Sequence, residues 1–182
     1  APKGTSLILF RNADYRKYMY YVTTEWPGGI YCTATTAGSR PGALIASTWA
    51  SLVTLGEKGF LEIAENIWTT TQQIKRGIES IDGLELMGDS KSSVVAFTSK
   101  NINMYALSDR MSKRGWGLNP LTHPPGLHIC VTRLHSGIVD QLLNDLRETY
   151  EETLKDPTVD KHGMAPIYGL ADTLPDRELV DN

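Results

Sequence analysis

Ala37-Gly38-Ser39-Arg40-Pro41-Gly42 is the stretch on which the reading of this chain turns. A hydroxyl and a guanidinium stand directly before a proline. Proline suits the first turn of a helix, where its missing N–H has no intrahelical partner to lose. Leu44, Ile45, Thr48, Trp49, Leu52 and Val53 then recur at helical spacing and form one apolar stripe. The first N–H groups of a helix are unpaired and carry partial positive charge, so an anion such as phosphate fits in front of them. Ser39 is therefore either a helix cap or a phosphate ligand, and spacing alone leaves both open.

Upstream, Pro27-Gly28-Gly29 through Gly42 reads as one long loop rich in glycine and small polar residues. Long ordered loops are often functional. Before it come an aromatic cluster (Tyr18, Tyr20, Tyr21, Trp26), a short helix from Ala13 to Tyr18 capped by Asn12, and a buried-type strand, Leu7–Arg11. Leu7–Phe10 has no obvious sheet to join, and a lone strand leaves its backbone groups unpaired. The reading therefore expects further strands outside these residues. Lys3, between Pro2 and Gly4, stands on a stiff turn. It is either a point charge for a phosphate or a solvated lysine.

Downstream, Gly56 and Gly59 break the helical pattern. Phe60, Ala64, Ile67, Thr71, Ile74 and Ile78 predict a second amphipathic helix. Strands are expected at Leu84–Met87, Ser93–Phe97, Trp116–Leu118 and Leu127–Val131. Met104, Leu107 and Met111 mark a helix that stops at Gly115, and Val139, Leu142, Leu143, Leu146 and Tyr150 mark a last one. This pattern is α+β, a small antiparallel sheet with helices on one face. The tail from Asp156 onward is polar, with glycine and proline interspersed, and expected to be mobile unless it packs on something.

A length of 182 residues, 41% of them hydrophobic, suffices for a sizeable core. The net charge of −3, with lysine and arginine scattered, argues against a general nucleic-acid binder. No apolar run approaches the roughly 18 residues of a membrane-spanning helix. Cys32 and Cys130 lie far apart without metal-ligand spacing and read as free, mostly buried thiols in a reducing compartment. No pair among His123, His128, His135 and His162 has the i, i+4 spacing of a helical metal site. His128 reads as a core or interface residue, and His123 stands in a loop before Pro124-Pro125. Arg133 could grip a carboxylate or phosphate, or form a surface ion pair. Nucleophile-elbow, Cys/His and phosphate-loop motifs are absent.

The motifs together resemble a known family. Ala1-Pro2-Lys3-Gly4-Thr5-Ser6, Gly28-Gly29-Ile30-Tyr31 and Ala37-Gly38-Ser39-Arg40-Pro41-Gly42 occur in the order and spacing of the sphingosine-1-phosphate lyase family. These are pyridoxal 5'-phosphate (PLP) enzymes of the group II decarboxylase-like, aspartate-aminotransferase (type I) α/β fold. Gly56-Glu57-Lys58-Gly59-Phe60, Leu107-Ser108-Asp109-Arg110-Met111 and Lys113-Arg114-Gly115-Trp116 extend the match, and Gly163-Met164-Ala165-Pro166-Ile167-Tyr168-Gly169 looks like the extension of animal members.

The resemblance implies that residues 1–57 are the end of the PLP-binding large domain, with a dimer loop and connecting helix. Residues 58–155 would be the C-terminal small α+β domain, and 156–182 a C-terminal extension. In the family a His-Lys segment directly precedes Ala-Pro-Lys-Gly, and its lysine forms the Schiff base. That lysine is expected just upstream of Ala1, so no catalytic residue is assigned within this chain and the fragment alone is expected to be inactive. Lys3 would handle the phosphate of the substrate. Ser39 would reach the PLP phosphate of the neighbouring subunit in a homodimer, with Gly38 and Arg40 shaping that corner and Tyr31 in contact with the site. Cys32-Thr33-Ala34-Thr35 departs from the small residue and Ser-Pro-Thr common in relatives, which removes a stiffening proline.

The implied reaction is cleavage of sphingosine 1-phosphate to phosphoethanolamine and a fatty aldehyde. The implied place is the endoplasmic reticulum membrane, with the catalytic part facing the cytosol and the anchor elsewhere. A PLP-dependent amino-acid decarboxylase and a non-catalytic interaction module are the alternatives.

Overall fold

Two compact units make up the computed structural model, Ala1–Phe60 and Leu61–Asn182. The structure describes residues 1–158 together with Gly163, Pro166 and Tyr168. Most of the expected 156–182 extension lies outside the described residues.

The second unit is built on a four-stranded sheet: β3 (Glu85–Leu86), β4 (Val94–Thr98), β5 (Asn119–Leu121) and β6 (Gly126–Cys130). The order is β3-β4-β6-β5, and every neighbouring pair is antiparallel. Alternation along the strands sends Val95, Phe97, Leu127 and Ile129 into the core. There they join residues of three helices. Ile74 and Ile78 come from α2 (Gly42–Glu79), Leu107 and Met111 from α3 (Met104–Lys113), and Leu142 and Leu146 from α4 (Val139–Lys155). The expected α+β pattern is present here.

Asn103 caps α3, its side-chain oxygen accepting from the N–H groups of Tyr105 (2.9 Å) and Ala106 (3.2 Å). At the other end the N–H of Trp116 donates to Met111 O at 3.0 Å. Its indole N–H goes to Asp145 on α4 at 2.7 Å. Those commitments explain one correction: the strand expected at Trp116–Leu118 begins only at Asn119, because helix closure takes the backbone of Trp116 first. Arg114 locks the same corner, reaching Asp145 (3.1 Å), Glu148 (2.7 Å) and Glu152 (2.7 Å) on α4. The hydrogen bonds of Glu148 and then Asp145 hold its guanidinium above the usual arginine range.

The first unit has a different character. Asn12 Oδ1 accepts from Asp14 and Tyr15 (3.0 and 3.2 Å) and starts the short helix α1 (Ala13–Arg16), followed by a 3-10 turn to Met19. Next comes a hairpin, β1 (Tyr21–Trp26) paired with β2 (Gly29–Thr33). The long loop expected from Pro27 thus begins with a strand, Gly29–Thr33. Its signal was present in the β-branched and aromatic residues on either side of Pro27-Gly28. Rather than one cluster of four aromatics, Trp26 meets Tyr31 edge-on at 5.7 Å, and Tyr20 takes a hydrogen bond from Arg16 at 2.9 Å.

Three further readings are corrected. Leu7–Phe10 is not a buried strand: Leu9 is 84% exposed and no described strand pairs with it. The only sheet among the described residues of the unit is a hairpin whose strands pair with each other. Gly59 does not interrupt the helix. The break in α2 is at Gly56 alone, where φ is 59° and ψ −178°, a conformation that residues with a Cβ rarely adopt. The cysteines are free as expected but exposed, not buried; Cys32 is on the two-sided hairpin and Cys130 at the end of β6.

Candidate functional site

The residues singled out by the sequence lie mostly in the first unit, around the start of α2. Lys3 and Gly4 form the middle of a turn, with Gly4 at φ 90°, which a glycine adopts without strain. Thr5 closes it by donating to Pro2 O at 2.9 Å. Thr48 of α2 then donates to Thr5 Oγ1 at 3.2 Å while also bonding Leu44 O at 2.9 Å. The turn that presents Lys3 is therefore tied to the helix that follows Ser39-Arg40-Pro41. The role of Thr5 and Thr48 was not foreseen; both are threonines whose hydroxyls can satisfy nearby backbone, a weak signal in sequence.

The loop between β2 and α2 is held by a run of hydroxyls. Thr33 Oγ1 donates to Thr35 O at 2.6 Å, and Thr35 Oγ1 donates to Ala37 O at 2.7 Å. Arg40 folds back on this run, donating to Thr35 Oγ1 and to Ala37 O at 3.4 Å. Where a proline would stiffen the loop through its ring, threonine side chains do so through hydrogen bonds.

Ser39 does not cap α2. It is exposed and makes no hydrogen bond with another described residue. Gly38 beside it faces open space: an added Cβ would meet nothing within 4 Å. A hydroxyl without a partner, a flexible neighbour and a guanidinium on one loop suit an oxyanion of the phosphate type. Tyr31 is on β2, 42% exposed and packed against Trp26.

An open groove of about 480 Å³ runs between the turn and the helix. Thr5, Ser6, Thr35 and Arg40 line its polar side, and Leu7, Met19, Leu44, Ile45, Trp49 and Leu52 its apolar side. Arg40 is thus brought to the groove. Lys3, Ser39, Gly38 and Tyr31 are not among its lining residues, and neither is any other lysine.

The remaining candidates are in the second unit. His128 is on β6 with its Nδ1 buried and unpaired among the described residues. His123 precedes Pro124 in the β5–β6 connection. Arg133 opens a solvent-exposed 3-10 turn, where Thr132 and His135 cap each other. No group of three His, Cys, Asp or Glu residues able to hold a metal occurs among the described residues.

No family model matches the chain. Individual proteins match it strongly. It is 48% identical over 182 residues to the sphingosine-1-phosphate lyase of Dictyostelium discoideum, covering 99% of this chain and 34% of that protein. It is 42% identical over 181 residues to the Arabidopsis thaliana protein of the same name, covering 100% of this chain and 33% of the relative. The chain therefore spans about a third of the length of the curated relatives it matches. A solved sphingosine-1-phosphate lyase from Burkholderia pseudomallei superposes with a TM-score of 0.71 at 34% identity, over 92% of this chain and 38% of that one. A Lactobacillus brevis glutamate decarboxylase superposes at 0.63 with 18% identity, over 83% of this chain and 37% of that one, a likeness of fold alone. Along its whole length the chain is a homologue of the sphingosine-1-phosphate lyases, and it carries part of the aspartate-aminotransferase-like (type I) fold of PLP-dependent enzymes.

Proposed function

We propose that this chain is the phosphate-handling and C-terminal part of a PLP-dependent lyase that cleaves a phosphorylated sphingoid base, sphingosine 1-phosphate, into phosphoethanolamine and a fatty aldehyde. The end-to-end identity with sphingosine-1-phosphate lyases, 48% to the Dictyostelium protein, carries the proposal. The donor set on the 37–41 loop supports it chemically. Ser39 has a hydroxyl with no partner among the described residues, Arg40 is a fixed cation, and Gly38 leaves room for close approach. These residues fit the phosphate end of PLP. Bound there, PLP supplies an electron sink for the carbon left behind when the carbon–carbon bond breaks.

The chain's own residues would bind and orient. Ser39 donates to the cofactor phosphate from the neighbouring subunit of a homodimer, with Gly38 and Arg40 forming the corner and Tyr31 bordering it. Lys3 meets the phosphate of the substrate; its pinned turn reduces the entropy lost on fixing the cation. No helix among the described residues is long and apolar enough to cross a membrane. The complete protein is placed at the cytosolic face of the endoplasmic reticulum membrane in this reading, and cell fractionation of the complete protein tests it.

The decisive assay compares substrates. The complete protein, loaded with PLP, is given sphingosine 1-phosphate and, separately, glutamate. A fatty aldehyde from the first and no carbon dioxide from the second is expected. Carbon dioxide from the amino acid with no aldehyde from the lipid would replace the lyase by a decarboxylase.

A further inference from the structure

Three contacts of the chain's C-terminal end fall on one helix, α3, and their order is informative. Just past α4, Arg110 donates to Asp156 O at 2.7 Å and to Asp156 Oδ2 at 3.2 Å, and reaches Thr158 O at 3.4 Å. Thr158 in turn donates to Asp156 through its N–H (3.0 Å) and its hydroxyl (2.6 Å), so the turn leaving α4 is closed on itself and held to α3. Farther along, Gly163 lies against Asp109. A Cβ at this position would stand 2.1 Å from Asp109 Oδ2 and 2.4 Å from its Cγ. Asp109 is only 7% exposed, so it has little room to withdraw. Farther still, the Tyr168 ring stacks on Tyr105 at 5.6 Å with an interplanar angle of 29°.

Tyr105 and Asp109 are four residues apart and share one face of α3. As the chain advances from 156 through 163 to 168, its contacts step back along α3 from 110 through 109 to 105. A random collapse of a polar tail would not pair its one tyrosine with a tyrosine and a glycine with a buried carboxylate in reverse register.

We propose that the face of α3 bearing Tyr105 and Asp109 is a docking site for the chain's own C-terminal extension, with Tyr168 as the anchoring ring and Gly163 as the residue whose small size permits the approach. The consequence reaches beyond the tail. Tyr105 Oη donates to Leu121 O at 2.9 Å, at the end of β5, so the ring that receives Tyr168 also positions the connection that carries His123. The proposal stands apart from the lyase reading, because none of its residues belongs to the 37–41 loop or the Lys3 turn.

Limited proteolysis of the full 182-residue chain tests it. Lys161 is a tryptic site between the anchors at Thr158 and Gly163. Tyr168→Ala and Gly163→Val should each speed cleavage after Lys161 by about tenfold, as expected when a ring contact holds a segment closed and cleavage follows the open population. Tyr168→Phe, which keeps the ring, should be cut at the parent rate. The anchors lie outside the hydrophobic core, so circular dichroism and melting of the second unit should be nearly unchanged. Cleavage of Tyr168→Ala at the parent rate, or cutting of the parent chain as fast as an unstructured peptide of the same sequence, would overturn the docking site.

Discussion

The two units of this chain share an abundance of apolar side chains and differ in what they do with them. In Leu61–Asn182, Ile74, Phe97, Leu107, Met111 and Leu127 are at most 1% exposed, and the sheet, α3, α4 and the end of α2 close around them. In Ala1–Phe60 no residue is buried, although Leu9, Tyr18, Ile30, Ile45 and Trp49 are all present. The first unit is held by hydrogen bonds of loops and turns, such as Thr5 with Thr48 and Arg40 with Thr35. The second is held by removing apolar surface from water, the dominant driving force of folding. The residues proposed to handle phosphate are in the unit without a core, and the scaffold is in the other.

The largest test of that contrast is a pair of truncations. Phe97→Ala removes a ring that is 1% exposed and should cost about 3–5 kcal/mol in denaturant unfolding of the second unit. Trp49→Ala, at a side chain 66% exposed, should change it by less than about 0.5 kcal/mol. Equal losses would erase the difference between the units.

A smaller effect sharpens the account of the second unit. Asn103→Ala deletes the side-chain acceptor for two N–H groups at the start of α3 and should cost about 1 kcal/mol by the same measurement. An unchanged midpoint would mean the cap contributes nothing there.

The smallest concerns pH. Hydrogen bonds from Thr158, followed by Arg110, hold the Asp156 carboxyl below its ordinary value of 3.8. A depressed folded value means that its contribution is complete above 3.8 and disappears as pH falls through the lower folded value. Carbon-detected NMR titration of Asp156 reads this directly. A midpoint above the ordinary value would contradict the hydrogen-bonded turn.

Periodicity made the second unit legible because each of its helices and strands buries one face, and burial is what three-and-four or alternate spacing records. Its one displaced element, the strand expected at Trp116, moved because the backbone and indole N–H groups of that residue close a helix and hold Asp145. In the first unit the same spacing misled. Leu7–Phe10 has the composition of a core strand but no described strand to pair with, and Gly29–Thr33 resembled a loop because glycine and proline at its turn outweighed the residues around them. At the candidate site, Ser39 and Arg40 could be found from their place before Pro41. The tie from Thr48 to the Lys3 turn could not, since a hydrogen bond across 43 residues leaves no local pattern.

The most direct test of the functional account separates two phosphates. In the complete protein, Ser39→Ala should lower retained PLP, and Ser80→Ala, at an exposed hydroxyl bonded to Gly77 O, should not. Lys3→Ala should cut turnover of sphingosine 1-phosphate by at least about tenfold while leaving PLP content and the cofactor's absorbance intact, as loss of a charge-assisted phosphate contact predicts. Full PLP content in Ser39→Ala together with loss of cofactor in Lys3→Ala would contradict the assignment of the two residues.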